Sequence, residues 1–262
     1  MIDIKTNKEI NIMAKGGRIL AEIMEILKRS VKPGITTQEL NNLAEKLIQK
    51  KGTLCAFKGY QNFPTCLCTS INEEIAHNIP SSRALKEGDI LTLDLGLFYP
   101  VFSKQKDFTN LNNSKGFYLD MAISLAVGEV RPEIQRFLRV AKKILKLAIK
   151  KIKPGNTLGD ISNTIQRYAE LQGFNVIQEL CGHGIGRKLH EEPQVLNFGQ
   201  RHQGERLKKG MVFTIEPMIT MGDWKIKTSS DDYGFETKDG SLSCYFEHTI
   251  AVTENGAQIL TK

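Results

Sequence analysis

One segment of the chain occurs twice, and this repeat constrains the fold more than any other feature of the sequence. Residues 31–52 and 152–173 both carry Lys-Pro-Gly near their start, place a threonine where the next helix would begin, and end in glycine. The two copies align without a gap. The repeat therefore predicts one domain over residues 1–262, made of two related halves at approximately 1–125 and 126–262 about a pseudo-twofold axis.

A helix is expected before each copy of the repeat. Apolar residues recur at spacings of three and four over about 132–150 and about 7–29, as in amphipathic helices. Thr6 and Glu9 have the spacing of a capping box at the start of the first helix. Strands are expected at about 66–71, 89–98, 117–127, 175–180, 211–221 and 244–253. Because hairpin-like connections outnumber helical crossovers, these elements predict an α+β class with mostly antiparallel strands.

The composition excludes several classes of protein. No apolar run reaches the length of about eighteen residues that a membrane span needs, and the chain does not start with the basic and apolar regions of a secretory signal. We therefore expect a cytoplasmic protein with no membrane partner. Its 5 cysteines are an odd number, which favours reduced thiols over a complete disulfide framework.

The chain is basic, with a formal net charge of +7, and much of the excess lies between Arg131 and Lys153. These cations occupy the outer face of the helix expected at about 132–150. The face is either simply solvated or docks on an anionic partner such as a ribosome, and the sequence leaves both interpretations open. Nothing in the chain resembles a module that reads nucleic-acid bases, so no sequence-specific nucleic-acid partner is expected.

Acidic residues interrupt four of the predicted strands. Asp94 lies in an alternating run of leucines, which places it on the opposite face of its strand, and similar surroundings are found at Asp120, Glu216 and Glu247. A carboxylate removed from water without compensation costs on the order of several kcal/mol, so such groups are neutralised, paired or bound to a cation. A buried salt bridge would suffice for any one acid. Because few lysines or arginines lie within the strands, a divalent metal centre accounts better for all four.

His183 adds a nitrogen ligand to the same set. Four carboxylates and one imidazole form an oxygen-rich site that suits Mn, Fe(II), Co or Zn. Five side chains are too many for one small ion that keeps a position open for substrate, but they suit two ions about 3.5–4 Å apart. Centres of this type activate water, so the pattern predicts a hydrolase.

Six segments of the chain have a distinctive content and order. They are SINEEIAHNIP (70–80), GDILTLDLG (88–96), GFYLDMA (116–122), CGHGIGRKLHEEP (181–193), GMVFTIEPMI (210–219) and LSCYFEHTIAVT (242–253). Together they resemble the signature segments of the type I methionine aminopeptidases, which are pita-bread members of metallopeptidase family M24. The resemblance implies a pseudo-twofold pita-bread fold, in which helices cover a curved antiparallel sheet. It also implies two divalent ions held by Asp94, Asp120, His183, Glu216 and Glu247.

The resemblance further implies a reaction and the residues that perform it. The enzyme would remove the N-terminal methionine of nascent polypeptides when the second residue is small, with Glu216 as general base and His190 at the scissile carbonyl. His77 would lie near the leaving side, and the glycines beside His183 would let the backbone turn tightly enough to aim it at the ions. The substrate would contact Tyr60, Phe63, Cys68, His77, Leu189, His190 and Tyr233. We also expect a monomer.

Several features depart from the family pattern. An insertion at about 99–115 lengthens the hairpin before Asp120; it forms either a surface loop, which we expect, or a lid and docking element. Leu119 and Met121 flank Asp120 where smaller residues are usual, and Tyr233 stands where tryptophan is usual. The departures keep open an alternative function, that of a weakly active or non-catalytic pita-bread paralogue that serves as a ribosome- or protein-binding module. Related proline-specific peptidases are disfavoured, since HEEPQVL fits the methionine type better.

Overall fold

Four α-helices are present in the computed structural model, which describes residues 1–101 and 116–262. They are α1 Asn7–Ser30, α2 Thr37–Lys50, α3 Pro132–Ile149 and α4 Leu158–Leu171. α1 and α3 confirm the two helices predicted before the repeats, and α2 and α4 occupy the repeats themselves. Within the described residues, every helix is too short or too polar to cross a membrane.

Three of these helices begin with a capping box. The Thr6 hydroxyl accepts a hydrogen bond from the backbone N–H of Glu9, and the Glu9 carboxylate accepts one from the N–H of Thr6. The same box starts α2 and α4, where the pairs are Thr36 with Glu39 and Thr157 with Asp160. Each box satisfies N–H groups for which the first helical turn has no acceptor, so the threonines of the two repeats mark equivalent helix starts.

Short strands form most of the remaining regular structure. They are β1 Leu54–Cys55, β2 Leu67–Ile71, β3 Glu74–Ala76, β4 Ile90–Tyr99, β5 Phe117–Ala126, β6 Asn175–Val176, β7 Cys181–Gly184, β8 Glu191–Leu196, β9 Val212–Ile215, β10 Ile219–Thr220, β11 Ile226–Thr228, β12 Phe235–Thr237, β13 Ser243–Cys244, β14 His248–Thr253 and β15 Gly256–Ile259. Every pairing among them is antiparallel, as predicted.

Two larger sheets position the functional residues. In the first half, β5 pairs with one edge of β4, while β1 and β2 lie end to end along its other edge. In the second half, the strand order is β15-β14-β9-β7-β8. α1 and α2 pack on the first sheet, and α3 and α4 pack on the second. Leu20, Ile23 and Leu27 of α1 have no exposed surface, and burial of each such side chain contributes on the order of 1.5–3 kcal/mol.

Three predicted strands differ from the structure. The strand expected at 211–221 breaks at Pro217, whose nitrogen has no hydrogen to donate to a ladder. The strand expected at 244–253 breaks at 245–247, where the chain passes from the pairing of β13 with β10 to that of β14 with β9. The strand expected at 175–180 is limited to the two residues of β6, which pair with β10. The other three predicted strands are confirmed as β2, β4 and β5.

The predicted insertion at about 99–115 joins β4 to β5. Tyr99 pairs with Phe117 at the end of this hairpin that is next to the connection, so the extra residues begin where the regular pairing stops. Positions 102–115 lie outside the described residues. The expectation that they form a surface loop therefore stays a prediction.

Cys55 and Cys66 form a disulfide, so the expectation of reduced thiols is wrong for this pair. β1 and β2 lie end to end along β4, and this brings the two Cα atoms to 5.2 Å from each other, within the usual range for a disulfide. Residues 56–65 leave the sheet at the first cysteine and return to it at the second. The three remaining cysteines are free.

Candidate metal centre

The five residues predicted to hold metal converge on one cavity, although they come from distant parts of the chain. Asp94 in β4 and Asp120 in β5 are diagonal neighbours on the same face of their hairpin. From the second half come His183 in β7, Glu216 directly after β9 and Glu247 directly before β14. The prediction of an acid within each strand is wrong for Glu216 and Glu247, because the strands break beside them.

The side chains of this cluster are close enough to share ions. One ligand atom from each of Asp120, His183 and Glu247 lies within 4.8 Å of the other two. Nε2 of His183 lies 3.8 Å from Oε1 of Glu216. All four carboxylates are buried, and no lysine or arginine in residues 1–101 and 116–262 lies within 4.0 Å of them. The cluster therefore gathers four acids without a protein cation from the described chain.

Burial shifts the ionisation of these acids. It raises the pKa of Asp94 to about 6 and that of Glu216 to about 8. It also raises the pKa of Asp120 and of Glu247 well above the usual range, an effect to which the neighbouring acids add. Oδ1 of Asp94 and Oδ1 of Asp120 accept no hydrogen bond from the part of the chain that the structure describes. A divalent ion would satisfy such oxygens, so these residues fit the predicted metals.

His183 is held with one ring nitrogen free. Its Nδ1 lies 3.0 Å from the carbonyl oxygen of Gly184, so Nδ1 carries the hydrogen and Nε2 presents a lone pair. Burial lowers the pKa of His183 to about 3, which keeps the ring in the neutral form that binds metal. Its backbone N–H donates to Oγ1 of Thr214, and this hydroxyl donates to Oε1 of Glu216 over 2.7 Å. Thr214, which sequence analysis missed, therefore connects two of the predicted ligands.

The glycines beside His183 permit close packing of strands. A Cβ atom at Gly182 would lie 2.6 Å from the carbonyl oxygen of Thr214, and one at Gly184 would lie 2.1 Å from that of Glu192. Both distances are too short for any side chain, so β7 can lie between β8 and β9 only with glycine at these positions. The expectation that the glycines allow a tight turn therefore gives the wrong reason for Gly182 and Gly184, which lie within β7.

Two further histidines line the same cavity as the cluster. His190 lies between β7 and β8, and its ring centroid is 4.3 Å from that of His183. Nδ1 of His190 lies 2.9 Å from the hydroxyl of Tyr60, and burial lowers the pKa of His190 to about 4. His77 follows β3 with a φ of 61° and packs edge-on against Phe235. Burial lowers the pKa of His77 as well, so both rings are in the neutral form near pH 7.

The cavity has a volume of about 1140 Å³, and all of the predicted site residues line it. Its apolar part includes the aromatic and thiol side chains predicted to contact substrate, together with Phe57 and Met218. The Tyr233 ring packs edge-on against Phe63, and its hydroxyl donates to the carbonyl oxygen of Asn62 over 3.2 Å. Tyr233 therefore closes one wall of the pocket.

Comparison with known proteins identifies the family. Residues 11–254 match the model of metallopeptidase family M24. The chain is 42% identical over 261 residues to the methionine aminopeptidase of Clostridium perfringens, an alignment that covers 100% of this chain and 99% of that protein. The chain belongs to the methionine aminopeptidases of family M24. Its identity to methionine aminopeptidase 1 of Bacillus subtilis is also 42%, over 100% of both chains.

Comparison with solved structures supports the assignment of the chain to this family. The enzyme of Thermotoga maritima matches it with a TM-score of 0.92 and 41% identity over 100% of both chains. The prolidase of Pyrococcus horikoshii matches with a TM-score of 0.73 but only 23% identity, over 99% of this chain and 63% of that one, so it shares the fold alone. The predicted pita-bread fold and family are confirmed, and these relatives give no support to the alternative of a non-catalytic binding module.

Two residues of this methionine aminopeptidase contact the acids from behind the cavity. The Tyr245 hydroxyl donates to Oδ2 of Asp94 over 2.7 Å. The Thr249 hydroxyl donates to the backbone carbonyl of Asp120 and accepts a hydrogen bond from its N–H. Sequence analysis missed both residues. The available signal was that Tyr245 and Thr249 each stand two positions from Glu247, which in an extended chain places all three on one side.

Proposed function

We propose that this methionine aminopeptidase removes the N-terminal methionine of nascent polypeptides whose second residue is small, with two divalent ions held by Asp94, Asp120, His183, Glu216 and Glu247. The observation that supports this most directly is the cluster itself. Four buried carboxylates and a neutral imidazole meet in one cavity, and no described lysine or arginine pairs with them. Mn, Fe(II), Co and Zn all suit this set of donor atoms.

Glu216 acts as the general base in this proposal. Divalent ions bound to the cluster would acidify water and polarise the substrate carbonyl. Oε1 of Glu216 accepts the Thr214 hydrogen bond, which leaves Oε2 to take a proton from the attacking water and return it to the departing amine. The carboxylate thus moves one proton across the scissile bond.

His190 stabilises the negative charge that develops on the carbonyl oxygen. When the Tyr60 hydroxyl donates to Nδ1, the neutral ring carries its hydrogen on Nε2 and can donate it to substrate. A donor in such a position contributes roughly 10²–10³-fold to turnover. His77, also neutral because burial lowers its pKa, faces the leaving side of the bond.

The pocket beside the cluster binds the methionine side chain. Tyr60, Phe63, Cys68, Leu189 and Tyr233 line the same cavity, and such apolar surfaces suit a soft thioether. The free amine of the substrate lies near Asp94. A charged amine at this position restricts the reaction to the first peptide bond.

Paired peptides test the proposed reaction. Metal-stripped protein is resupplied separately with Mn, Co, Fe(II) or Zn and assayed for free methionine from Met-Ala-Ser and Met-Ile-Ser. We expect metal-dependent cleavage of the first peptide and not of the second. Release from neither peptide with any ion, by protein shown to be folded by circular dichroism, would refute the proposal.

We further propose that the outer face of α3 contacts the ribosome. Lys142, Lys143 and Lys146 are exposed, and none has a carboxylate partner within 4.0 Å among the residues that the structure describes. Unneutralised cations on one helix face suit the phosphates of ribosomal RNA. The variant Lys142→Glu/Lys143→Glu should lose co-sedimentation with ribosomes at low salt. The control Lys28→Glu/Arg29→Glu on α1 should retain it, and equal binding by both variants would refute the contact.

We also propose that residues 1–262 form a single domain and act as a monomer in the cytoplasm. The cavity draws Asp94 and Asp120 from the first half of the chain and the other acids from the second, which supports a site shared by the two halves. Sedimentation equilibrium should give the mass of one chain. The mass of a dimer at micromolar concentration would refute the monomer.

A further inference from the structure

Tyr245 lies behind the metal cluster and does not line the cavity. Its side chain is the largest among those with no appreciable exposed surface. The hydroxyl donates to Oδ2 of Asp94 over 2.7 Å, whereas Oδ1 of the same carboxylate has no hydrogen-bond partner in the described chain. One oxygen of Asp94 is therefore occupied by the phenol, and the other is left for a cation.

The backbone of Tyr245 is fixed to the hairpin that carries Asp94. The Ser124 hydroxyl donates to the carbonyl oxygen of Tyr245 over 2.7 Å and accepts a hydrogen bond from its N–H. Oγ of Ser124 also lies 2.6 Å from Oγ1 of Thr92. Because the single proton of Ser124 goes to Tyr245, Thr92 is the donor in this contact. The phenol thus reaches Asp94 from a main chain that is itself held to both β4 and β5.

The next residues continue this attachment. The backbone N–H of Glu247 donates to the carbonyl oxygen of Ala122 over 2.9 Å. Residues 245–247 therefore lie along β5 and supply one ligand, Glu247, and one hydroxyl, that of Tyr245, to the same group of acids. The hydrogen bonds that residues 245–247 make with Asp94, Ala122 and Ser124 therefore join the second half of the chain to the first half at the metal centre.

We propose that Tyr245 is a positioning residue for the metal centre, whose hydroxyl holds Oδ2 of Asp94 so that Oδ1 faces the ions. The inference rests on the proposed function, in which Asp94 is a ligand. The terminal torsion of an aspartate is broad and roughly two-fold, so a free carboxylate would rotate between one-oxygen and two-oxygen binding. A hydrogen bond to the ionised group is strong enough to select one orientation.

Tyr245→Phe tests the inference, because it removes the hydroxyl and keeps the ring. Metal-stripped protein is titrated with Mn(II) by calorimetry, and methionine release from Met-Ala-Ser is followed as a function of added Mn(II). We expect Mn(II) affinity to fall about 10–100-fold, as is typical when a partner of a metal ligand is lost, and the Mn(II) needed for half-maximal activity to rise in parallel. The peptide KM at saturating Mn(II) should stay within about twofold of wild type, as for other changes that leave substrate contacts intact.

Tyr168→Phe on α4 is the matched control, since it removes a hydroxyl from a half-buried tyrosine outside the cavity. A merely structural role for Tyr245 would lower the melting temperature of the metal-free variant and leave Mn(II) affinity unchanged, and that result would overturn the inference. If Tyr245→Phe does not fold, Ser124→Ala loosens the Tyr245 backbone instead and should weaken Mn(II) binding in the same direction. Wild-type affinity in that variant would likewise overturn it.

The two proposals fail in different ways. Wild-type protein that binds no Mn(II) or releases no methionine would refute the proposed function. Wild-type protein that does both, together with a Tyr245→Phe variant of equal Mn(II) affinity, would refute only the role of Tyr245.

Discussion

The hydroxyl of Tyr60 and Nδ1 of His190 lie 2.9 Å apart, although 130 residues separate them in sequence. This hydrogen bond sets the orientation of the ring that we assign to the substrate carbonyl. A hydrogen bond of this kind contributes about 0.5–1.5 kcal/mol, so Tyr60→Phe should lower kcat on Met-Ala-Ser roughly two- to tenfold without changing metal affinity. Steady-state kinetics measures the effect, with Tyr168→Phe as control. An unchanged kcat would show that the bond does not position His190.

His190→Ala should separate catalysis from metal binding. The ring lies beside His183 but outside the group of ligand atoms, so we expect kcat to fall roughly 10²–10³-fold while bound Mn(II), measured after dialysis, stays at the wild-type level. His202→Ala is the control, because that side chain is exposed. Parallel loss of metal and activity in His190→Ala would assign the residue a ligating or structural role.

Asp120→Asn removes one charge at nearly constant volume. Because Oδ1 of Asp120 has no other partner in the described chain, we expect this variant to bind less metal and to have no measurable activity on Met-Ala-Ser. Metal content and methionine release are measured on the same preparation. Asp223→Asn, at an exposed position, should behave as wild type. Near-normal turnover by Asp120→Asn would exclude it as a ligand.

The metal-free protein should lose stability as the pH rises above about 7. Burial raises the pKa of Glu216 to about 8 and the pKa values of Asp120 and Glu247 well above their usual range, so the folded protein retains protons that the unfolded chain has released near pH 4. The stability that these protons provide is complete below about pH 4 and is lost as the pH rises through the folded-state pKa values. Histidine does not interfere above about pH 7, because it titrates near 6.5 in the unfolded chain.

Thermal melts in chelator at about pH 7.0 and about pH 8.5 measure this effect. A loss of about 1 kcal/mol across the window would lower the melting temperature by roughly 2–4 °C. Glu216→Gln should reduce the difference in melting temperature between the two pH values. The increase in melting temperature caused by Mn(II) should be larger at the higher pH. A melting temperature that rises with pH in the metal-free protein would contradict the raised pKa values of these acids.

The disulfide between Cys55 and Cys66 predicts a thiol count. Denatured protein kept from reductant should show three reactive thiols per chain, and five after reduction. Because the bond closes the loop that carries Tyr60 and Phe63, reduction should raise the KM for Met-Ala-Ser about twofold or more, as expected when a binding loop loses preorganisation. Cys55→Ser should show that higher KM with and without reductant. Five thiols before reduction would refute the bond.

Local patterns predicted much of the fold. The capping box at Thr6 and the spacing of apolar residues set the bounds of α1 and α3, because helix formation depends on neighbours within one or two turns. The alternation of leucines around Asp94 predicted β4 correctly, because this pattern is also a local one. The strand that ends beside Glu216 was predicted too long, since nothing in the apolar pattern shows where pairing passes from one sheet to another.

The sequence predicted the ligand residues of the site but not the residues that donate hydrogen bonds to them. All of the predicted site residues line one cavity. Tyr245 and Thr214 were missed because an aromatic or hydroxyl side chain in an apolar segment is typical of a core, and only the tertiary contact shows that each donates to an acid. The bond between Cys55 and Cys66 was missed because it depends on two strands that share one edge of β4.

Titration of the metal-stripped protein with Mn(II), with bound metal and methionine release from Met-Ala-Ser measured in the same samples, tests the proposed centre most directly. We predict no release in chelator and activity that rises with bound metal until two ions are held per chain. Asp120→Asn should bind less metal and remain inactive throughout. Wild-type methionine release at full rate in chelator, or two bound ions without any release, would contradict a catalytic metal centre at Asp94, Asp120, His183, Glu216 and Glu247.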